Sequence, residues 1–139
     1  MEGLQKTGSP AERKQSTLHV ARLIAHGPTV INIVRRQEQV DLLHSLGAEF
    51  VLQGNDPNFS HQFRDLAQRL KATLILDALG GKLARQLLNT TPAGSILLLY
   101  ANLSGEEFTL DPHGLWSEDK RIAGFSWETG RRREVFFKR

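Results

Sequence analysis

The sequence predicts a doubly wound α/β domain with a mostly parallel sheet, and three observations carry that expectation. The first is size and composition. At 139 residues, 40% hydrophobic and 24% charged, the chain is one globular domain able to bury a sizeable core. The second is a series of short aliphatic runs with little polar alternation, the pattern of strands buried on both faces. The third is that amphipathic stretches separate those runs. Strands separated by helices require crossover connections, and these give parallel pairing with helices on the sheet faces.

Taken in chain order, residues 18–25 place Leu18, Ala21, Leu23 and Ile24 on an amphipathic stretch that predicts a helix. Residues 30–34, Val-Ile-Asn-Ile-Val, are the first strand run. Residues 37–46 space Val40, Leu43 and Leu46 three apart, a helix that Gly47 stops. Residues 49–52 are the second strand run. Asp56-Pro57 reads as an N-cap and first-turn pair, and behind it Phe59, Phe63, Leu66, Ala67 and Leu70 form one apolar stripe. Residues 73–76 are the third strand run. Gly80-Gly81 opens another helix, with Leu83, Ala84, Leu87 and Leu88 on one side and Pro92 ending it. Residues 95–100 and a weaker run at 121–125 complete the strands.

Composition removes several function classes. No run approaches the ~18 consecutive apolar residues of a membrane-spanning helix. Residues 1–17 hold only Met1, Leu4 and Ala11 as apolar residues, so no secretory h-region is expected there. With no Cys, disulfides, thiolate metal sites and Cys catalysis are excluded. A reducing, cytoplasmic setting fits, although absence of Cys is compatible with any compartment, the mitochondrial matrix included. The net charge of +3 is localised: Arg131, Arg132, Arg133, Lys138 and Arg139 face only Glu134 in residues 130–139, a local +4 that leaves −1 elsewhere. Both a phosphate, nucleic-acid or acidic-partner contact and a solvated tail fit such an end. No nucleic-acid module is recognisable, so a nucleic-acid partner is not expected.

Ligands of open α/β sheets bind beyond the carboxyl ends of the strands, which makes the loops there the candidate sites. Arg35 and Arg36 follow the first strand. In a dinucleotide-binding protein an acid at this place hydrogen-bonds the ribose 2′-hydroxyl and favours NAD, whereas an Arg accommodates a 2′-phosphate and favours NADP. Two arginines and no acid stand here, with solvated loop arginines as the plain alternative. Gly80-Gly81 either lets the backbone approach a ligand or serves a tight turn into a helix. Asp77, just before it, reads as an N-cap or a base. Residues 100–105 and 126–127 are the remaining candidate loops. The five His (His19, His26, His44, His61, His113) show no metal-ligand spacing. Neither a nucleophile elbow nor a Gly-Lys-Ser/Thr phosphate loop is present.

In order, these motifs resemble the cofactor-binding domain of medium-chain dehydrogenase/reductases over roughly residues 27–127. Strand 30–34, Arg35-Arg36, a helix, then Leu46-Gly47-Ala48-Glu49 and a short strand are similar to that family's second-to-third strand segment. Leu74-Ile75-Leu76-Asp77-Ala78-Leu79-Gly80-Gly81 resembles its fourth strand and Gly-Gly turn. Pro92-Ala93-Gly94-Ser95, an aliphatic strand and Asn102-Leu103-Ser104-Gly105 resemble its fifth. Lys120 to Trp127 resembles the strand and Gly-Phe element near the nicotinamide. The branch most similar is the zinc-independent quinone and enoyl-thioester reductases, which use NADPH.

The resemblance implies a Rossmann-like sheet and an NADPH site. It implies Arg35 and Arg36 at the 2′-phosphate, and Leu79 and Gly80 along the adenosine and ribose. Tyr100, Ala101 and Asn102 would lie toward the nicotinamide, bordered by the backbone of Phe125, Ser126 and Trp127. It assigns no catalytic residue and no metal ligand. The departures are equally specific. The family's first strand and Gly-rich pyrophosphate turn have no counterpart, because the polar residues 7–17 stand there and no G-x-G-x-x-G is found. Two lost charge-assisted hydrogen bonds at roughly 1.5–3 kcal/mol each would weaken cofactor affinity by about 10² to 10⁴. The expected layout is a divergent segment over 1–17, a Rossmann-like dinucleotide-binding domain over 18–129 and a basic tail over 130–139. The expected function is the NADPH-binding domain of a quinone or enoyl reductase, without a catalytic domain and therefore without turnover. The alternative is a non-catalytic interaction module that pairs with a second copy or a full-length relative through its sheet edges.

Overall fold

A computed structural model describes residues 27–126 and 131–133. The helix expected over residues 18–25, the segment 1–17 and Trp127 lie outside the described residues. The chain divides into two units, one ending at Asp56 and the other beginning at Pro57.

The first unit is a β-α-β crossover: β1 (Ile31–Val34), α1 (Gln37–Ser45) and β2 (Phe50–Gln53). β1 and β2 pair in parallel, with Ile31 opposite Phe50 and Val34 opposite Gln53. The Asn32 side chain donates to the Phe50 carbonyl at 3.3 Å, so the one polar residue of β1 reinforces the ladder. The Leu-Gly-Ala that follows α1 is a Schellman ending. Gly47, at φ 92°, donates to the His44 carbonyl, and Ala48 donates to the Leu43 carbonyl at 2.9 Å. Only a residue at ease with positive φ turns the chain there, which is why the helix stops at this glycine.

The second unit contains α2 (Phe59–Leu70), β3 (Leu74–Asp77), α3 (Gly81–Thr90), β4 (Ile96–Leu99), α4 (Pro112–Ser117), β5 (Arg121–Ser126) and β6 (Arg131–Arg133). Its sheet order is β3-β4-β5-β6. The first three strands are parallel and β6 is antiparallel to β5. The class is therefore α/β with parallel strands, distributed over two small sheets. Residues 131–133, within the stretch read as a basic tail, form the edge strand β6. α2 packs on α3, and α3 on β3 and β4. The stripe of α2 buries Phe59, Phe63 and Ala67, with the two phenyl rings stacked at 5.8 Å. From the other side come Ala84, Leu87 and Leu88 of α3 and the fully buried Leu97 of β4. Each large side chain so buried stabilises by about 1.5–3 kcal/mol.

α2 starts at Phe59 rather than at Pro57, so Asp56-Pro57 does not open it. These two residues belong to the turn after β2, where the Asp56 N–H donates to the Gln53 carbonyl at 3.0 Å. A second Asp-Pro pair does open a helix: the Asp111 carboxylate accepts from the His113 N–H at 3.0 Å, with Pro112 as the first residue of α4. β5 is anchored by a buried cation. Lys120 donates to Glu118 at 2.6 Å and to the Asn89 carbonyl near the end of α3 at 3.2 Å.

β3 departs from the expected burial on both faces. Ile75 and Asp77 are buried, whereas Leu74 and Leu76 are 59% and 66% exposed. Among the described residues, no second strand pairs with β3 beyond β4, or with β1 beyond β2. No helix among them is long and apolar enough to cross a membrane. Leu97→Ala should lower the unfolding free energy by about 2–5 kcal/mol, by cavity formation. Leu74→Ala should change it by no more than about 0.5 kcal/mol, because that side chain is mostly solvated. Urea denaturation of the two variants separates these outcomes.

Candidate functional site

In the first unit, Arg35 and Arg36 leave the carboxyl end of β1 and both are exposed. Their backbone is tightly held while their side chains are not. The Gln39 Oε1 accepts from the N–H of Arg35 at 3.2 Å and of Arg36 at 3.1 Å, the half of a capping box that arginine permits. Arg36 has no side-chain acceptor and cannot supply the other half. Gln53, at the end of β2, donates to the Arg35 carbonyl at 3.0 Å. Among the described residues neither guanidinium meets a carboxylate. The pair is thus a fixed backbone platform carrying two positive charges at a strand end, with no neutralising partner described.

In the second unit, the site is built where β3 and β4 end. Asp77 is buried, and its two carboxylate oxygens accept from the Leu79 N–H at 3.0 Å and the Gly80 N–H at 2.8 Å. Asp77 is not the N-cap of α3, since Gly80 stands there with no side-chain cap; both of its oxygens are engaged by the turn that leads into the helix. The following turn is then tied to the loop after β4. The Tyr100 N–H donates to the Asp77 carbonyl at 3.0 Å, the Leu103 N–H to Ala78 at 2.9 Å and the Ser104 N–H to Leu79 at 3.0 Å.

The Gly-Gly turn has a definite steric reason. Gly80 sits at φ 70° and ψ −156°, a region essentially reserved for glycine. A Cβ on Gly80 would lie 2.5 Å from the Asn102 Oδ1, and one on Gly81 would lie 2.6 Å from the Glu106 Oε2. The close approach that these glycines permit is therefore filled, in the folded chain, by the 102–106 segment. Glu106 also accepts from the Lys82 N–H at 3.2 Å, one of the unpaired donors in the first turn of α3.

The structure thus brings Leu79, Gly80 and Asn102 together, with Tyr100 exposed and Ala101 half-buried on the same loop. Arg35 and Arg36 stand in the other unit. Phe125 and Ser126 end β5, which runs parallel to β4, and Trp127 lies outside the described residues. One contributor escaped the sequence reading, Glu106; Ser104 lay within the candidate loop 100–105 but had no role assigned. No local motif marks Glu106, because its role follows only from where the loop folds back. Gly80→Ala should destabilise by about 1–3 kcal/mol through backbone strain. Gly94→Ala, at φ 78° with open space around it, should cost about 1 kcal/mol, and thermal unfolding of both would test the ranking.

The family model described as zinc-binding dehydrogenase matches residues 16–137. Among solved structures, the chain is similar to a protein named as an NADPH:quinone reductase from Mesorhizobium loti. That match has 29% identity and a TM-score of 0.75, and covers 81% of this chain and 33% of the other. It is also similar to a protein named as an NADPH:quinone reductase from Bacillus thuringiensis, at 17% identity and a TM-score of 0.68, covering 81% and 34%. A mutant form of an enoyl thioester reductase from Candida tropicalis matches at 20% identity and a TM-score of 0.64, covering 78% and 32%. These last two likenesses bear on the fold alone. The chain spans about a third of the length of these structures. No curated protein matches it. Because the family model extends over most of its residues, the chain belongs to the zinc-binding dehydrogenase family of the medium-chain dehydrogenase/reductase superfamily.

Proposed function

We propose that the chain is the NADPH-binding domain of a reductase of the quinone or enoyl-thioester type, in a cytoplasmic setting. The observation that carries this reading is the end of β1: two exposed guanidiniums on a fixed backbone, with no acid in the place where one would select NAD. Guanidinium forks match phosphate geometry and stay charged at all relevant pH, so Arg35 and Arg36 are suited to the 2′-phosphate. Leu79 and Gly80 would border the adenosine and ribose. Tyr100, Ala101 and Asn102 would lie toward the nicotinamide, with the backbone of Phe125, Ser126 and Trp127 beside its ring.

When bound, NADPH supplies the hydride; what the protein contributes is grip, orientation and exclusion of water. No general acid stands among the proposed residues, since both oxygens of Asp77 accept from N–H groups of its own turn. The isolated chain is therefore proposed to bind cofactor weakly and to turn over no substrate. Zinc does not fit the donor set. The sequence has no Cys, and among the described residues no group of three or more His, Asp or Glu could hold a metal ion. No step is assigned to a metal.

One observation favours a second reading. The exposed Leu74 and Leu76 lie on a strand whose outer edge has no described partner, as expected of an interaction module that pairs with a second copy or a full-length relative. Titration of the purified chain with NADPH and NADH separates the two readings. The cofactor reading expects a preference for NADPH of about tenfold or more, lost in an Arg35→Ala/Arg36→Ala double variant. A folded chain that ignores millimolar NADPH and sediments as an oligomer would replace the first reading with the second. Any NADPH-dependent reduction of an enoyl thioester or quinone by the chain alone would refute the absence of turnover.

A further inference from the structure

The 102–106 segment folds onto the Gly80-Gly81 turn through a chain of side-chain contacts that ends at Asn102. Glu106 accepts from the Lys82 N–H at 3.2 Å, and its own N–H donates to the Ser104 hydroxyl oxygen at 3.2 Å. The Ser104 Oγ lies 3.4 Å from the Asn102 Oδ1. A hydroxyl has a single proton. Because the Ser104 oxygen already accepts from Glu106, its proton is available to Asn102, which takes it on Oδ1. Gly80 and Gly81 make room for this arrangement: a Cβ on Gly81 would meet Glu106 Cβ at 2.8 Å and Ser104 Oγ at 3.0 Å, and one on Gly80 would meet the Asn102 oxygen. With Oδ1 turned toward Ser104 and the glycine turn, Nδ2 is the end of the amide left to an outside group.

We propose that Glu106 is a positioning residue: by clamping the 102–106 segment to the first turn of α3, it makes Asn102 present its Nδ2 donor to an acceptor oxygen of the ligand. The ligand's identity rests on the NADPH reading, whereas the orientation of Asn102 does not. The acceptor is an uncharged or anionic oxygen, such as a carbonyl, hydroxyl or phosphate oxygen. A group that needs an acceptor from the protein would be rejected at this position. The clamp requires an acceptor at residue 106 and not a charge, so Glu106→Gln should preserve it and Glu106→Ala should release it.

Two measurements on the full chain test the proposal. Without ligand, ¹⁵N NMR should show the Asn102 Nδ2 resonances displaced in Glu106→Ala and in Ser104→Ala, and near their original positions in Glu106→Gln. Exchange of the Lys82 amide should quicken several-fold in Glu106→Ala only. With NADPH, Asn102→Asp should bind more weakly than Asn102→Ala, because an acceptor then faces an acceptor. Glu106→Ala should lose roughly three- to tenfold in affinity, the range of one ordinary hydrogen bond, and Glu106→Gln should recover it. Asn102→Asp binding as well as Asn102→Ala, or Asn102 resonances that ignore Glu106→Ala, would overturn the proposal. If the original chain binds no NADPH, the cofactor reading fails by itself. The Asn102 resonances then decide the positioning role: displacement sustains it and immobility removes it.

Discussion

The second unit depends on a buried carboxylate. Asp77 ends β3 with its side chain out of water, and a polar group in that position is tolerated only when its oxygens are hydrogen-bonded. The N–H groups of Leu79 and Gly80 engage them, and this forces the chain into a tight turn directly above the sheet. The turn in turn exposes the carbonyls of Ala78 and Leu79 to the loop after β4, which donates from Leu103 and Ser104. Two loops that are far apart in sequence become one structure because a single acid must be satisfied. The glycines at positions 80 and 81 follow from the same geometry, since no side chain fits between the turn and the segment folded over it.

The first unit obeys a different constraint. Its loop after β1 is held from both sides by amide side chains, Gln39 from the helix and Gln53 from the neighbouring strand. Neutral groups do the holding, and among the described residues no carboxylate meets either guanidinium. Guanidinium forks match the geometry of oxyanions, which is the physical ground for the phosphate role proposed for this pair.

The sheet edges show where the domain differs from a self-sufficient one. β6 lies at one end of the larger sheet, antiparallel to β5. β3, at the other end, exposes Leu74 and Leu76 and so leaves apolar area in water, which costs stability.

The sequence by itself determined the elements and their class. The aliphatic runs lie within a residue or two of β1 to β5, and Gly47 stops α1 because positive φ is a local property of one residue. The family resemblance was equally legible, since ordered motifs survive without knowledge of contacts. Three features were decided only by tertiary structure. Leu74, Ile75 and Leu76 are alike in hydrophobicity, so nothing local could say that the middle one is covered and its neighbours are not. Two identical Asp-Pro pairs diverge, one in a turn and one capping α4, because helix initiation depends on what the following residues can pack against. Arg131 to Arg133 have no strand pattern of their own and become β6 by pairing with β5. The role of Glu106 belongs to this last group. Its partner, the Lys82 N–H, is distant in sequence, and that hydrogen bond exists only once the fold has brought donor and acceptor within reach.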